Sequence, residues 1–154
     1  MKKTLLYTAL AAFFSLFASC TELDGDTGGL FGSWYLEEIK IDGEIDASYA
    51  QRVNEDRGVM VNFQGKVFNM AYLDSSEIYG SFEYAGEILT LDASFNAGSG
   101  YGSPYFNPYP TVLHFPADEE QIEITVTSLN SKTMQWQYID QNGQLITYNF
   151  RKYP

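Results

Sequence analysis

The chain is poor in the residues that most often carry chemistry. Its 154 residues include a single cysteine and a single histidine. A disulfide within the chain needs a second cysteine, so none is expected. The sequence also lacks the Cys/His clusters of metal centres and the glycine-rich loops that hold phosphates. We therefore expect neither a bound metal nor a cofactor.

Basic residues are also scarce. Nine Lys and Arg residues stand against 20 Asp and Glu residues, which gives a formal net charge of −11. As a whole, such a body repels nucleic acid and anionic lipid. We therefore expect no nucleic-acid partner, and we read the acidity as a source of solubility rather than as a substrate signal.

Long hydrophobic runs are absent except at the N-terminus. After Met1-Lys2-Lys3, an apolar stretch of 14 residues extends from Leu5 to Ala18. A basic start followed by a short apolar run is typical of a secretory signal peptide. A transmembrane helix is the alternative, but it needs about 20 residues and basic anchors after the run, which are missing.

The single cysteine follows this run directly. Phe17-Ala18-Ser19-Cys20 resembles the lipobox of bacterial lipoproteins, in which small residues precede the cysteine. The resemblance implies a signal peptide at 1–19 that is removed, acyl chains on Cys20, and a lipidated flexible tether at 20–29. A nucleophilic or metal-binding thiolate would need a folded, electropositive pocket, which such a leader does not offer.

Acidic residues follow the cysteine at once. Glu22, Asp24 and Asp26 resemble the export signal of Bacteroidota lipoproteins that reach the outer face of the outer membrane. The resemblance implies a lipid-anchored, surface-exposed protein. The alternatives are the periplasmic face of the same membrane and a tether that is acidic merely because it is solvated.

The remaining chain, 30–154, reads as one all-β domain. Short apolar-alternating segments are separated by turn residues, a pattern typical of a sandwich or barrel. Because few connections are long, we predict a single antiparallel up-and-down β-barrel of eight or nine strands, which leaves no exposed sheet edge. The predicted strands are 33–41, 59–63, 66–73, 78–85, 87–92, 111–115, 121–129, 133–139 and 144–152, with one helical turn near 47–52.

Two features resemble the lipocalins. Gly32-Ser33-Trp34 on the first strand is similar to their Gly-x-Trp motif, and the tail from Ser128 to Lys152 is similar to the closing hairpins of small lipocalin-like domains of bacterial lipoproteins. The resemblance implies that Trp34 plugs one end of the barrel. It also implies that Arg151, late in the last strand, packs across the Trp34 ring as a cation–π partner.

The loop at 95–110 is the most unusual segment. Loops of this length in compact domains are often functional, and this one is rich in aromatic residues, glycine and proline. We predict a binding module for a small hydrophobic molecule or a glycan fragment at the barrel mouth. The candidate ligand-binding residues are Tyr101, Tyr105, Phe106 and Tyr109 on the loop and Trp136 and Tyr148 on inward strand positions, with Met60, Phe68 and Met70 also facing inward.

Two alternatives remain open for this chain. In one, side chains fill the barrel, and the protein is a non-enzymatic structural accessory that contacts another envelope protein through the aromatic 95–110 loop. A hydrolase would need His114 to meet a nucleophile or a carboxylate, and no neighbouring residue in the sequence supplies one. Asp42, Glu44 and Asp46 begin like a calcium loop but lack its Gly and Glu at the sixth and twelfth positions.

Overall fold

A computed structural model describes residues 29–72, 77–94, 109–116 and 118–154. The described chain is almost entirely β-structure, with one α-helix and one short 3-10 helix. The strands are β1 (Gly32–Ile41), β2 (Glu44–Ile45), β3 (Val59–Gln64), β4 (Val67–Tyr72), β5 (Glu77–Ala85), β6 (Ile88–Asp92), β7 (Gln121–Leu129), β8 (Thr133–Ile139) and β9 (Leu145–Lys152); the helices are α1 (Ala47–Asn54) and the 3-10 helix Thr111–Leu113.

The strands form a closed antiparallel barrel. From β3 to β9 each strand pairs with the next one in the chain, and β1 pairs with both β3 and β9. Eight strands therefore close the ring, and the two-residue β2 adds a short extra pairing to β1. The predicted all-β, up-and-down barrel is confirmed.

The barrel has two rims of different character. One rim holds residues 29–31, the turns at 65–66, 86–87 and 130–132, and residues 153–154; we call it the tether rim. The other holds α1, residues 109–116 and the turn at 140–144; we call it the strap rim, and residues 109–116 the strap. The connections from β2 to β3 and from β6 to β7 therefore both begin and end at the strap rim.

Tight turns build two of the hairpins at the tether rim. Gly65 and Gly86 begin two-residue turns and have φ values of 59° and 66°. A side chain disfavours this left-handed conformation, whereas glycine adopts it readily, and it matches the twist of hairpin strands. The two hairpins predicted at these positions are confirmed.

The core lies inside the barrel and follows the two-residue period of the strands. Ile122, Ile124 and Val126 are buried, as are Met134 and Trp136, while the residues between them face outward. Burial of one face fixes the register, because a slip of one residue would turn every apolar side chain to water. The buried side chains form one continuous cluster.

Three local predictions need correction. Residues 111–115 were expected to form a strand, but residues 111–113 form a 3-10 turn and His114 has a left-handed φ of 60°. Pro110 and Pro116 bracket this segment, and proline cannot donate a ladder hydrogen bond. The helical turn expected at 47–52 is a two-turn helix, and the short β2 was not predicted.

Candidate functional site

The barrel interior is lined by aromatic rings that meet across it. The Trp136 ring on β8 lies 4.4 Å from the Phe150 ring and 6.3 Å from the Tyr148 ring, both on the adjacent β9. It also lies 6.2 Å from the ring of Phe63, which comes from β3 on the far side of β1 and β9. The contacts with Tyr148 and Phe63 are edge-to-face and the contact with Phe150 is tilted, and ring pairs at these distances are favourable. The middle of the barrel thus holds an aromatic cluster centred on Trp136.

The two tryptophans differ in one respect that matters for binding. Both side chains are fully buried. The Trp34 indole N–H donates to the Leu30 carbonyl at 2.6 Å. The Trp136 indole N–H finds no hydrogen-bond partner among the described residues. Buried polar groups nearly always have a partner, so the Trp136 N–H marks a place where an acceptor is missing.

The strap covers the barrel at the strap rim. The Tyr109 hydroxyl donates to the Glu120 carbonyl at 2.7 Å and lies 3.1 Å from the Leu91 carbonyl. The Tyr148 hydroxyl, which rises from inside the barrel, donates to the Leu113 carbonyl of the strap. Burial raises the pKa of both hydroxyls well above the usual tyrosine value, so they remain neutral donors.

Phe115 joins the strap to the interior. Its ring lies 5.4 Å from Tyr109, 5.3 Å from Tyr138 and 5.7 Å from Tyr148. Tyr148 in turn contacts Trp136, so a chain of rings runs from the strap to the unpaired indole. Any molecule that reaches Trp136 from the strap rim must displace part of this chain.

A histidine–aspartate pair ties the strap to α1. The His114 Nε2 lies 2.9 Å from the Asp46 Oδ2, although the two residues are 68 positions apart. Asp46 is also the N-cap of α1, where its Oδ1 accepts from the amides of Ser48 and Tyr49. Burial alone would raise the pKa of Asp46, but hydrogen bonds from Ser48, His114 and the helix amides outweigh it, and the pKa is lowered.

The same geometry argues against a catalytic relay at this pair. The Ser48 hydroxyl donates to the Asp46 Oδ1 at 2.7 Å rather than to His114. A serine hydrolase requires the serine to face the histidine, with the acid behind it. Here serine and histidine both bind the acid, so the cluster caps a helix and fastens the strap.

Helix α1 is fixed in a similar way. Tyr49 is fully buried, and its hydroxyl donates to the Leu36 carbonyl at 2.7 Å and accepts from the Val59 amide at 3.1 Å. Sequence reasoning did not identify Tyr49, Phe115 or the pairing of His114 with Asp46. An N-cap pattern of Asp46 followed by Ser48 was the available signal for the helix start; nothing in the sequence linked it to His114.

The predicted ligand-binding residues fall into four groups. Trp136 and Tyr148 lie inside the barrel, as do Phe68 and Met70, all with side chains that are fully buried. Tyr109 is buried in the strap instead of standing on an open rim. Met60 faces outward, because Val59, Val61 and Phe63 take the inward positions of β3, which makes its predicted inward orientation wrong. Tyr101, Tyr105 and Phe106 lie outside the described residues, as does Cys20.

The cation over Trp34 is Lys152, and the prediction of Arg151 is wrong. The Lys152 Nζ lies 4.3 Å from the centre of the Trp34 ring and donates to the Phe31 carbonyl. Trp34 pairs with Lys152 across β1 and β9, whereas Arg151 points outward over Tyr35 at 5.9 Å. Gly32 leaves room for this lysine, since a Cβ there would stand 2.9 Å from Nζ.

Two depressions on the outer surface are also lined by described residues. One, of about 380 Å³, lies across β6 to β9 and includes the exposed Ile88 and Ile139. The other, of about 200 Å³, lies between α1 and β1.

Comparison with known proteins agrees with the barrel. The family model of the lipocalin-like domain matches residues 15–153. The chain belongs to the lipocalin-like domain family. No curated protein matches its sequence.

Two solved structures resemble this lipocalin-like chain. A lipocalin-like protein from Bacteroides uniformis has 18% sequence identity and a TM-score of 0.53, with 82% of this chain and 100% of that chain covered. An uncharacterised protein from Bacteroides eggerthii has 20% identity and a TM-score of 0.54, with 80% and 99% covered. At this identity the likeness establishes the fold, and a fold of this kind is compatible with small-molecule binding.

Two features are absent from the described part of the lipocalin-like domain: a metal-binding cluster and a membrane-spanning helix. Within residues 29–72, 77–94, 109–116 and 118–154, no group of three His, Cys, Asp or Glu side chains is arranged to hold a metal ion. Over the same ranges, no helix has the length and apolar character needed to cross a bilayer.

Proposed function

We propose that this lipocalin-like chain is a lipid-anchored binding protein of the bacterial cell envelope. Its barrel holds a small, mostly apolar molecule, or an apolar part of a glycan conjugate, beneath the strap. The ligand carries a hydrogen-bond acceptor that faces Trp136. The observation that supports this proposal most directly is the fully buried indole N–H of Trp136, which has no hydrogen-bond partner among the residues that the structure describes.

A ligand acceptor would give the Trp136 N–H a hydrogen-bond partner. A buried donor without an acceptor costs about 1–3 kcal/mol relative to a paired one. A ligand carbonyl, ether or carboxylate oxygen at Trp136 would remove this cost, while the surrounding rings of Phe63, Tyr148 and Phe150 would contact its apolar part. Apolar walls with a few placed polar groups are typical of small-molecule sites.

The strap provides the route of entry. It is not part of the barrel sheet, and its attachments include the Tyr148 hydroxyl and the His114–Asp46 pair. Opening the strap breaks a few hydrogen bonds and ring contacts but leaves the pairing of the barrel strands intact. Tyr101, Tyr105 and Phe106 precede the strap in the chain, and in this proposal they contact the ligand at the mouth.

The anchor completes the proposal. Acyl chains on Cys20 hold the domain at the outer membrane, on the cell surface, with the periplasmic face as the alternative location. Two or more acyl chains give stable attachment, because each buried methylene contributes about 0.8 kcal/mol. Cys20→Ala should release the protein from the membrane fraction; a variant that stays there would contradict the anchor.

Native mass spectrometry tests the binding function. Protein purified from its own host in mild detergent should carry a bound molecule in addition to the acyl groups, and the extra mass should be lost on denaturation. Trp136→Phe should lower the occupancy, whereas Trp34→Phe should leave it unchanged, since Trp34 already donates to Leu30. A wild-type spectrum without extra mass would contradict the proposal.

One observation favours a second function. The Phe63 and Trp136 rings meet across the barrel, so side chains occupy much of the described interior; small eight-stranded barrels can be filled in this way. The protein would then be an accessory that contacts another envelope protein through the 95–110 loop. A ligand-free native mass, together with crosslinking from Tyr105 to one partner, would support this function.

A further inference from the structure

The tether rim differs in chemistry from the rest of this acidic protein. Phe31 and Tyr153 expose large apolar side chains there, at 43% and 49%, and so does Val67 at 51%, the first residue of β4 after the 65–66 turn. Exposed apolar side chains that occur singly need no explanation, but a group on one rim indicates a contact surface.

Contacts within the rim show that its parts lie together. The Lys152 amide donates to the Lys132 carbonyl at 2.7 Å, and the Tyr153 amide donates to the Ser33 carbonyl at 2.8 Å. The Lys152 Nζ donates to the Phe31 carbonyl. The β3–β4 turn stands beside them, because Gly32 pairs with Phe63 at the end of β3.

Positive charge collects on the same rim. Lys66 and Lys132 are exposed in its turns, and Lys152 ends β9 there, while Glu87 is the acidic residue in the 86–87 turn. The strap rim and its connections carry most of the described acids: Asp42, Glu44, Asp46, Glu55, Asp56, Asp118, Glu119, Glu120 and Asp140. The net charge of the whole chain is negative, but charges act over only about 8–10 Å at physiological salt. The three lysines are opposed by Glu87, by the C-terminal carboxylate and by the acids Glu22, Asp24 and Asp26 that precede Gly29, so attraction to an anionic surface requires direct contact with Lys66 and Lys132.

The chain itself indicates which surface that is. Gly29 lies on the tether rim, and eight residues, 21–28, lie between it and Cys20. The nine steps of chain from Cys20 to Gly29 span at most about 30 Å when fully extended. If Cys20 is acylated, as the proposed function requires, the tether rim is the part of the barrel held closest to the bilayer.

We propose that the tether rim is a docking surface for an anionic phospholipid bilayer. Phe31, Val67 and Tyr153 rest at the level of the headgroups, as aromatic and apolar residues do at membrane interfaces. Lys66 and Lys132 contact the lipid phosphates. The acidic strap rim then points away from the membrane, so that the strap opens toward water and the ligand does not have to pass through the lipid.

Site-specific fluorescence tests this orientation. Acylation blocks the thiol of Cys20, the one cysteine in the chain, so an introduced cysteine can be labelled alone. Val67→Cys and Ile139→Cys form a matched pair, because both side chains are exposed at strand ends, at 51% and 58%, but on opposite rims. Each full-length lipidated variant is labelled with an environment-sensitive dye and reconstituted into phosphatidylcholine–phosphatidylglycerol vesicles that contain brominated lipid.

The expected result is a blue shift and a loss of fluorescence at position 67, with neither at position 139. Lys66→Glu combined with Lys132→Glu should weaken docking by about tenfold or more, because each cation near an anionic surface contributes measurably. Lys40→Glu, on the outer face of β1 beside Glu38, is the control and should change little.

The outcomes separate docking from anchoring. If the intact mass shows acyl groups on Cys20 and position 67 is not quenched, docking is wrong and the anchor stands. If the mass shows no acyl groups, the anchor fails and the docking proposal fails with it. Protection of position 67 in native membrane fragments but not in pure lipid vesicles would overturn the proposal in favour of a protein partner.

Discussion

The two tryptophans allow a direct test of which buried polar groups of the barrel interior have hydrogen-bond partners. Trp34→Phe removes the donor that serves the buried Leu30 carbonyl at 2.6 Å. An unsatisfied buried acceptor costs about 1–3 kcal/mol. The change also weakens the cation–π contact with Lys152, since phenylalanine is a poorer partner than tryptophan. We expect the lost hydrogen bond and the weaker cation–π contact to lower the free energy of unfolding by about 2 kcal/mol. The loss of ring volume lowers it further.

Trp136→Phe removes a similar ring volume but breaks no hydrogen bond to any residue that the structure describes. It also deletes an unpaired buried donor, whose presence costs about 1–3 kcal/mol. Because both side chains are fully buried, the two volume losses largely cancel in a comparison. Trp34→Phe should therefore have a free energy of unfolding about 3–5 kcal/mol lower than that of Trp136→Phe.

Urea denaturation of the ligand-free variants measures this difference. Each variant keeps one of the two tryptophans of the chain, which reports unfolding by its fluorescence. Equal stability of the two variants, or a lower stability of Trp136→Phe, would refute the reasoning. Either result would mean that the Trp136 N–H is satisfied in the free protein.

Three further predictions concern the rims. Lys152→Met should lower the free energy of unfolding by about 1–2 kcal/mol, through loss of the cation over Trp34 and of one hydrogen bond, whereas Arg151→Met should change the urea midpoint little. The pKa of Asp46 is lowered in the folded state, so its contribution to stability is present above about pH 4 and is lost as the pH falls through the folded-state pKa; Asp46→Asn should flatten the fall of the urea midpoint in acid. Tyr148→Phe deletes the donor to the strap carbonyl, so hydrogen exchange of the strap amides should become about fivefold faster, for a loss of about 1 kcal/mol; unchanged exchange would mean that this bond does not hold the strap.

The alternation of apolar residues was enough to predict the barrel. Ile122, Ile124 and Val126 on β7 repeat every second residue, and all are buried. Such a pattern specifies both the strand and its inward face, because only one register buries it. Short turns between consecutive strands then leave an up-and-down order as the simplest topology.

The strap shows where the same reasoning fails. Thr111 to Phe115 have strand-forming residue types, yet the segment crosses the barrel opening instead of joining the sheet. Its neighbours Pro110 and Pro116 were the signal against a strand, because each lacks the amide that a ladder needs. The pairing of His114 with Asp46 carries no sequence signal, since it depends on how two loops meet in space.

The error at Arg151 was avoidable. Ile146, Tyr148 and Phe150 are inward residues of β9, so the next inward position is 152. The two-residue period alone therefore places Lys152, and not Arg151, on the face of β9 that meets the Trp34 ring. The lack of a described partner for the Trp136 N–H could not be predicted from the sequence, because it depends on the positions of all the neighbouring residues.

The most direct test of ligand binding at Trp136 is nuclear magnetic resonance of the two indole N–H groups. Protein labelled with ¹⁵N in its own host is measured as purified and again after solvent extraction of any bound molecule, with Trp34→Phe and Trp136→Phe used for assignment. The Trp136 resonance should move on extraction and its hydrogen should exchange faster, while the Trp34 resonance, held by Leu30, should stay in place. A Trp136 resonance that is identical before and after extraction would contradict the proposal that the barrel carries a ligand there.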